Sequence, residues 1–137
     1  MSLSDAAVQR FLDSKEVVVL ATVKPDGAPL AMAMWFLHDP TSLTMISVGG
    51  LQKVRNLRRD PRVCVVGEAA DAQGIRGVVV QGRAEFLEDG PERRALAERF
   101  LAKYHPRLEE YWRGRAMPPD RVMFRIVPAT VRSWGLS

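Results

Sequence analysis

Between residues 16 and 48 the chain carries three apolar runs, 16–23, 28–37 and 43–48, the first rich in valine. They are separated only by the turn signals Pro25-Asp26-Gly27 and His38-Asp39-Pro40-Thr41-Ser42. Breaks this short leave no room for a crossover helix, so the runs read as consecutive hairpin-linked antiparallel strands. Further strands are expected at 62–68 and from Val78 onward. In the latter, Val78, Val80, Gly82, Ala84 and Phe86 share one face while Gln81, Arg83 and Glu85 share the other. Two last strands, 121–127 and 130–134, are read as separated by Pro128-Ala129, and residues 69–74 as a loop of small residues.

Helical spacing falls between these runs. Residues 4–12 open with Ser4 as a candidate cap and place Ala7, Val8, Phe11 and Leu12 on one face. Leu51, Val54 and Leu57 do the same over 51–59, which Asp60-Pro61 terminates. Leu96, Phe100 and Leu101 mark a helix over 92–104, and 106–115 reads as another. Six or seven short strands with inserted helices predict a small antiparallel β-barrel of the α+β class.

At 137 residues the chain can bury a core of its own, and it reads as one domain over 1–137. The longest apolar run, 30–37, is eight residues against the roughly 20 a spanning helix needs, so no membrane partner is expected. The start, Met-Ser-Leu-Ser-Asp, shows neither a basic leader nor an apolar signal core. Cys64, the single cysteine, is flanked by Val63, Val65 and Val66 and reads as a small core residue. A reducing cytoplasm is the expected location.

Charge is concentrated in one place. Residues 51–62 hold five cations (Lys53, Arg55, Arg58, Arg59, Arg62) against Asp60, a sum of +4 that equals the net charge of the whole chain. Such a cluster fits a discrete anionic partner or a solvated helix face. Nucleic acid is disfavoured, because no aromatics interleave with the arginines and Pro61 cuts the helix short.

No G-x-G-x-x-G and no P-loop sequence occurs, so the usual nucleotide folds lack support. His38 and His105 share no helical spacing, which predicts no metal. The strongest chemical candidate is Ser47-Val48-Gly49-Gly50-Leu51-Gln52-Lys53, which runs strand, glycine pair, helix start, lysine. Free N–H groups at a helix start, glycines and a nearby ammonium suit a phosphate, although the same pattern also makes an ordinary turn into a helix. Trp35-Phe36, Tyr111-Trp112 and Trp134 read as core or interface aromatics.

Ala21-Thr22-Val23, the turn Pro25 to Pro29, Gly50-Leu51-Gln52-Lys53, Asn56-Leu57, Asp60-Pro61-Arg62-Val63 and Gly82-Arg83-Ala84-Glu85 together resemble the pyridoxamine 5'-phosphate oxidase-like superfamily. The resemblance implies a six-stranded FMN-binding split barrel that forms a homodimer, with a flavin or deazaflavin between the subunits. It implies that Lys53 holds the cofactor phosphate with Ser47, that Gly50, Arg55, Asn56 and Arg58 complete the cofactor site, and that Trp134 reaches the cofactor bound to the other subunit.

This sequence also departs from the FMN oxidases. Met32 stands where they carry a phosphate-binding arginine, and Gly77 where they have a glutamine. The end at Ser137 lacks the substrate tail of the true pyridoxamine phosphate oxidases, so that activity is not expected. The pattern is closer to the deazaflavin branch, whose coenzyme F-420 carries a phosphodiester and an anionic tail that Arg55, Arg58 and Arg59 suit. The expected activity is hydride transfer between that cofactor and a small substrate, with FMN chemistry or a non-catalytic flavin or haem carrier as the alternatives. No catalytic acid or base is assigned; His38, Tyr104 and Tyr111 are candidates only through their capacity to move protons.

Overall fold

Valine-rich β1 (Val17–Val23) folds back through a turn in which the Lys24 N–H donates to Ala28 O at 2.8 Å and the Ala28 N–H donates to Asp26 Oδ1 at 3.0 Å. β2 (Pro29–Trp35) follows and pairs antiparallel from Val23↔Pro29 to Val17↔Trp35. The computed structural model describes residues 1–136. Its remaining elements are α1 (Ala6–Asp13), β3 (Leu37–His38), β4 (Leu43–Val48), α2 (Gln52–Arg59), β5 (Arg62–Asp71), β6 (Gly74–Phe86), α3 (Pro91–Tyr104), α4 (Arg107–Trp112) and β7 (Arg121–Trp134). Seven strands make one antiparallel sheet in the order β2-β1-β5-β6-β7-β4-β3. The strand beyond six is the two-residue β3.

That order closes the sheet. β2 and β3 are one run of chain interrupted only at Phe36, yet they occupy opposite edges of the ladder. The bend at Phe36 therefore joins the two edges and curls the sheet into a split barrel. Its backbone groups leave the ladder there and need other partners. The Phe36 N–H donates to Tyr104 Oη at 2.8 Å, and Phe36 O accepts from Lys103 Nζ at 2.8 Å. Tyr104 Oη lies 2.8 Å from Glu16 O and 3.0 Å from Phe36 O, and donates its proton to these carbonyls. The last turn of α3 thus secures the corner.

Inside the barrel Leu20, Phe36, Met45, Phe124 and Ile126 are fully buried, with Val8 and Leu12 of α1 packed into the same core. A second cluster lies under α3 and α4, where Phe100, Leu101, Tyr104, Leu108 and Trp112 pack with Leu37.

The small-residue segment 69–74 is not a loop. β5 continues to Asp71 and β6 starts at Gly74, so Ala72-Gln73 is a two-residue hairpin turn. Pro128-Ala129 does not divide the last strand either. β7 runs through it, with Gln81 opposite Thr130 and Gly82 opposite Pro128, so Ala129 is the extra residue of a β-bulge. A proline without an N–H is tolerated at such a bulge. A Cβ on Gly82 would lie 2.1 Å from Val127 O, which restricts that position to glycine. The N-cap of α1 is Asp5, not Ser4. Cys64 is also displaced from its expected place: Val63 and Val65 point inward, and the period-2 alternation turns Cys64 to the outer face, half-buried.

Candidate functional site: an apolar groove with a free lysine

A groove of about 620 Å³ opens between β2, β4, the start of α2 and the α3–α4 arm. Ser47, Leu51 and Lys53 line one end; Trp35, Tyr111 and Trp112 line the other. Its remaining wall is apolar apart from Arg121, and among the described residues no carboxylate lines it.

The phosphate-cradle segment holds together as a unit. β4 ends at Val48, Gly49 donates its N–H to Asp120 O at 2.8 Å, and α2 starts at Gln52 with Leu51 as N-cap and no side chain capping it. Leu51, expected in the core beside Val54 and Leu57, instead lies exposed at the groove, because the N-cap precedes the helical face. Ser47 is buried, its Oγ donating only to Val48 O at 3.3 Å. The space a Gly50 side chain would occupy holds no atom within 4 Å.

Lys53 has no hydrogen-bond or ion-pair partner among the described residues. It is half-buried, and that burial depresses the pKa of its ammonium. A cation in apolar surroundings without a counter-charge is costly, and an anion bound beside it would remove the cost.

The other cations of the cluster already have partners. Arg55 donates to Gly50 O at 2.5 Å and to Gln52 Oε1 at 2.7 Å. Arg58 lies 4.1 Å over the Phe86 ring, and Arg59 donates to Val23 O. Arg62 pairs with Asp60 at 2.7 Å, which holds the Asp60 carboxyl down at about 2. Arg59 also shares the field of Asp60, whereas Arg55 and Arg58 meet only neutral partners, so their positive charge is uncompensated on the exposed side of α2.

Asn56 is fully buried. Its Nδ2 donates to Thr22 Oγ1 at 3.0 Å and its Oδ1 accepts from Gln52 Nε2 at 2.7 Å, so it ties α2 to β1 and does not face the groove. Met32 pairs with Leu20 in the register and packs on the core. Trp134 ends the strand that Arg121 begins and is not among the residues that line the groove. Its ring covers Gly77, where a Cβ would fall 2.3 Å from Trp134 Cζ2. Within one chain the groove and Trp134 are separate.

Of the three proton-transfer candidates, only Tyr111 lines the groove. Burial pushes the Tyr104 hydroxyl up to about 12, and its hydrogen bonds are spent on the Phe36 corner. His38 bridges Gln9 Oε1 at 2.8 Å and Asp13 Oδ1 at 2.7 Å outside the groove. Burial is the largest influence on it and lowers its pKa despite Asp13. Sequence reasoning did not single out Arg121, whose place in the groove depends on a β4–β7 pairing distant in sequence.

A curled antiparallel sheet with an apolar groove and an unpartnered lysine beside its glycine turn defines a split-barrel protein. The family model for pyridoxamine 5'-phosphate oxidase matches residues 4–135, and the chain belongs to that family. Among characterised relatives, an F-420-dependent biliverdin reductase of Mycobacterium tuberculosis (strain CDC 1551 / Oshkosh) is 29% identical over 104 residues, 74% of this chain and 72% of the relative. A solved structure named as an F-420 reductase superimposes with a TM-score of 0.67 at 27% identity, over 90% of this chain and 94% of that one. A haem-binding protein of Mycobacterium smegmatis shares the fold, with a TM-score of 0.79 at 23% identity, over 98% of this chain and 55% of that one.

Proposed function

We propose that this chain is a homodimeric oxidoreductase that binds coenzyme F-420 in the groove and acts on a small organic substrate. The observation that carries the reading is Lys53, an unpartnered, half-buried cation in a groove without carboxylates. The groove's donors suit a monoanionic phosphodiester: one ammonium, the buried Ser47 hydroxyl and the uncapped start of α2. Two relatives named for F-420 support the same cofactor. When bound, the deazaflavin supplies two-electron hydride chemistry.

The chain's own residues bind and shield. Lys53 holds the anion, and Gly50 leaves room for it to approach the helix start. Arg55 and Arg58, exposed and paired only with neutral groups, extend the positive field toward an anionic tail. At the other end Trp35, stacked on Tyr104 at 4.5 Å with Tyr111 edge-on at 5.8 Å, presents an apolar wall that excludes water from the substrate.

Dimerisation rests on the outer face of β1, β2 and β5. Val17 and Val19 are about 40% exposed there, beside Ala31, Ala33, Cys64 and Val66. Val17 and Ala33 also line the groove, so a partner on this face would meet its rim. In this reading Trp134 of the partner subunit completes the cofactor site.

The test is turnover. Reduced coenzyme F-420 is mixed with protein and biliverdin, the acceptor named for the 29% identical relative. Equal loss of reduced cofactor and acceptor, abolished by Lys53→Ala, supports the reading. Binding without oxidation makes the protein a carrier, and turnover only with reduced FMN makes it a flavin enzyme.

A further inference from the structure

Arg121 is the groove's second cation, and neither the sequence pattern nor the family resemblance assigns it a role. It sits opposite Val48 in the β4–β7 ladder, directly before the Gly49-Gly50 turn that leads to Lys53. The two cations therefore flank that turn, Lys53 from α2 and Arg121 from β7. The Arg121 side chain is 18% exposed. One guanidinium nitrogen donates to Asp120 Oδ1 at 2.5 Å, and the other terminal nitrogen makes only a marginal 3.5 Å contact with Tyr111 O. The Asp120 carboxylate is 63% exposed and lies outside the groove lining, so water weakens its hold on the guanidinium. Met32, committed to the core, gives β2 no cation to offer.

The geometry points to Arg121 as the second anion-binding residue of this groove, gripping with Lys53 the phosphodiester of the bound coenzyme from the opposite side of the glycine turn. The assignment rests on the groove being the cofactor site. A guanidinium offers a planar pair of donors that an ammonium does not, so Arg121 fixes the orientation of the group whose charge Lys53 meets.

The experiment compares wild type, Arg121→Gln, Arg121→Lys and Asp120→Asn. Coenzyme F-420 binding is followed by cofactor fluorescence at low and high salt, with the folded state of each variant checked by thermal melting. Arg121→Gln should weaken binding at least tenfold and flatten its salt dependence. Arg121→Lys should recover part of the affinity, and Asp120→Asn should tighten binding severalfold by releasing the guanidinium. Affinity of Arg121→Gln within twofold of wild type would overturn the assignment. Inorganic pyrophosphate is a second probe, independent of the cofactor. A wild-type thermal shift with pyrophosphate that Arg121→Gln loses upholds Arg121 even if F-420 does not bind, whereas equal shifts, or none in either protein, reject it.

Discussion

Tyr104→Phe isolates the device that closes the barrel. The substitution keeps the ring, its stacking on Trp35 at 4.5 Å and its burial, and removes only the hydroxyl. The Phe36 N–H, buried with its side chain fully inside the barrel, then loses its partner at 2.8 Å, which costs about 1–3 kcal/mol. The proton that Tyr104 donates to Glu16 O or Phe36 O is lost as well, about 1 kcal/mol more, although Phe36 O keeps Lys103 Nζ. The expected destabilisation is about 2–4 kcal/mol, or a fall in Tm of about 6–16 °C for a domain of this size. Urea unfolding at fixed protein concentration should show a lower midpoint with an unchanged m-value, and amide exchange should show the Phe36 N–H opening early. A loss below about 0.5 kcal/mol would refute the role given to the corner.

Three further outcomes follow from individual residues. Lys53→Met should raise the stability of ligand-free protein by roughly 0.5–1 kcal/mol, because an uncompensated half-buried charge is removed, while abolishing anion binding; paired melting and F-420 titrations read both. Burial brings the Lys103 ammonium down to about 8 from 10.5, so between those values the unfolded chain holds a proton that the folded chain has shed. Stability should therefore rise with pH across roughly pH 8–10.5, by about 1 kcal/mol after allowance for solvent screening. Urea midpoints taken against pH should show that slope in wild type and a shallower one in Lys103→Met, where the depressed Lys53 ammonium still contributes in the same direction. Val19→Asp puts a charge on the exposed β1 face and should leave a folded monomer in sedimentation, whereas an unchanged assembly would exclude that face as the contact.

The sequence was most legible where pattern and packing agree. The alternation of Val78, Val80 and Ala84 against Gln81, Arg83 and Glu85 survives in β6 because one face meets the core and the other meets water. Phe100 and Leu101 are buried in α3 as their spacing implies. Residues 69–71 gave no strand signal, since alanines carry no inside–outside contrast and only pairing with β6 extends them. Pro128 reads as a break until the β6–β7 register shows a bulge that needs no N–H. The glycine–lysine segment was visible as a local pattern, but Arg121 was not, because only the β4–β7 register brings it beside Val48. Asn56 shows the converse: it belongs to the recognised motif, yet its amide is spent on Thr22 and Gln52 inside the fold.

Side-by-side titration of cofactor-free protein with coenzyme F-420 and with FMN, read by cofactor fluorescence at physiological salt, tests the central claim most directly. Tighter binding of the deazaflavin, lost in Lys53→Ala, is the predicted result. A preference for FMN, binding of neither, or F-420 affinity indifferent to Lys53 would contradict it.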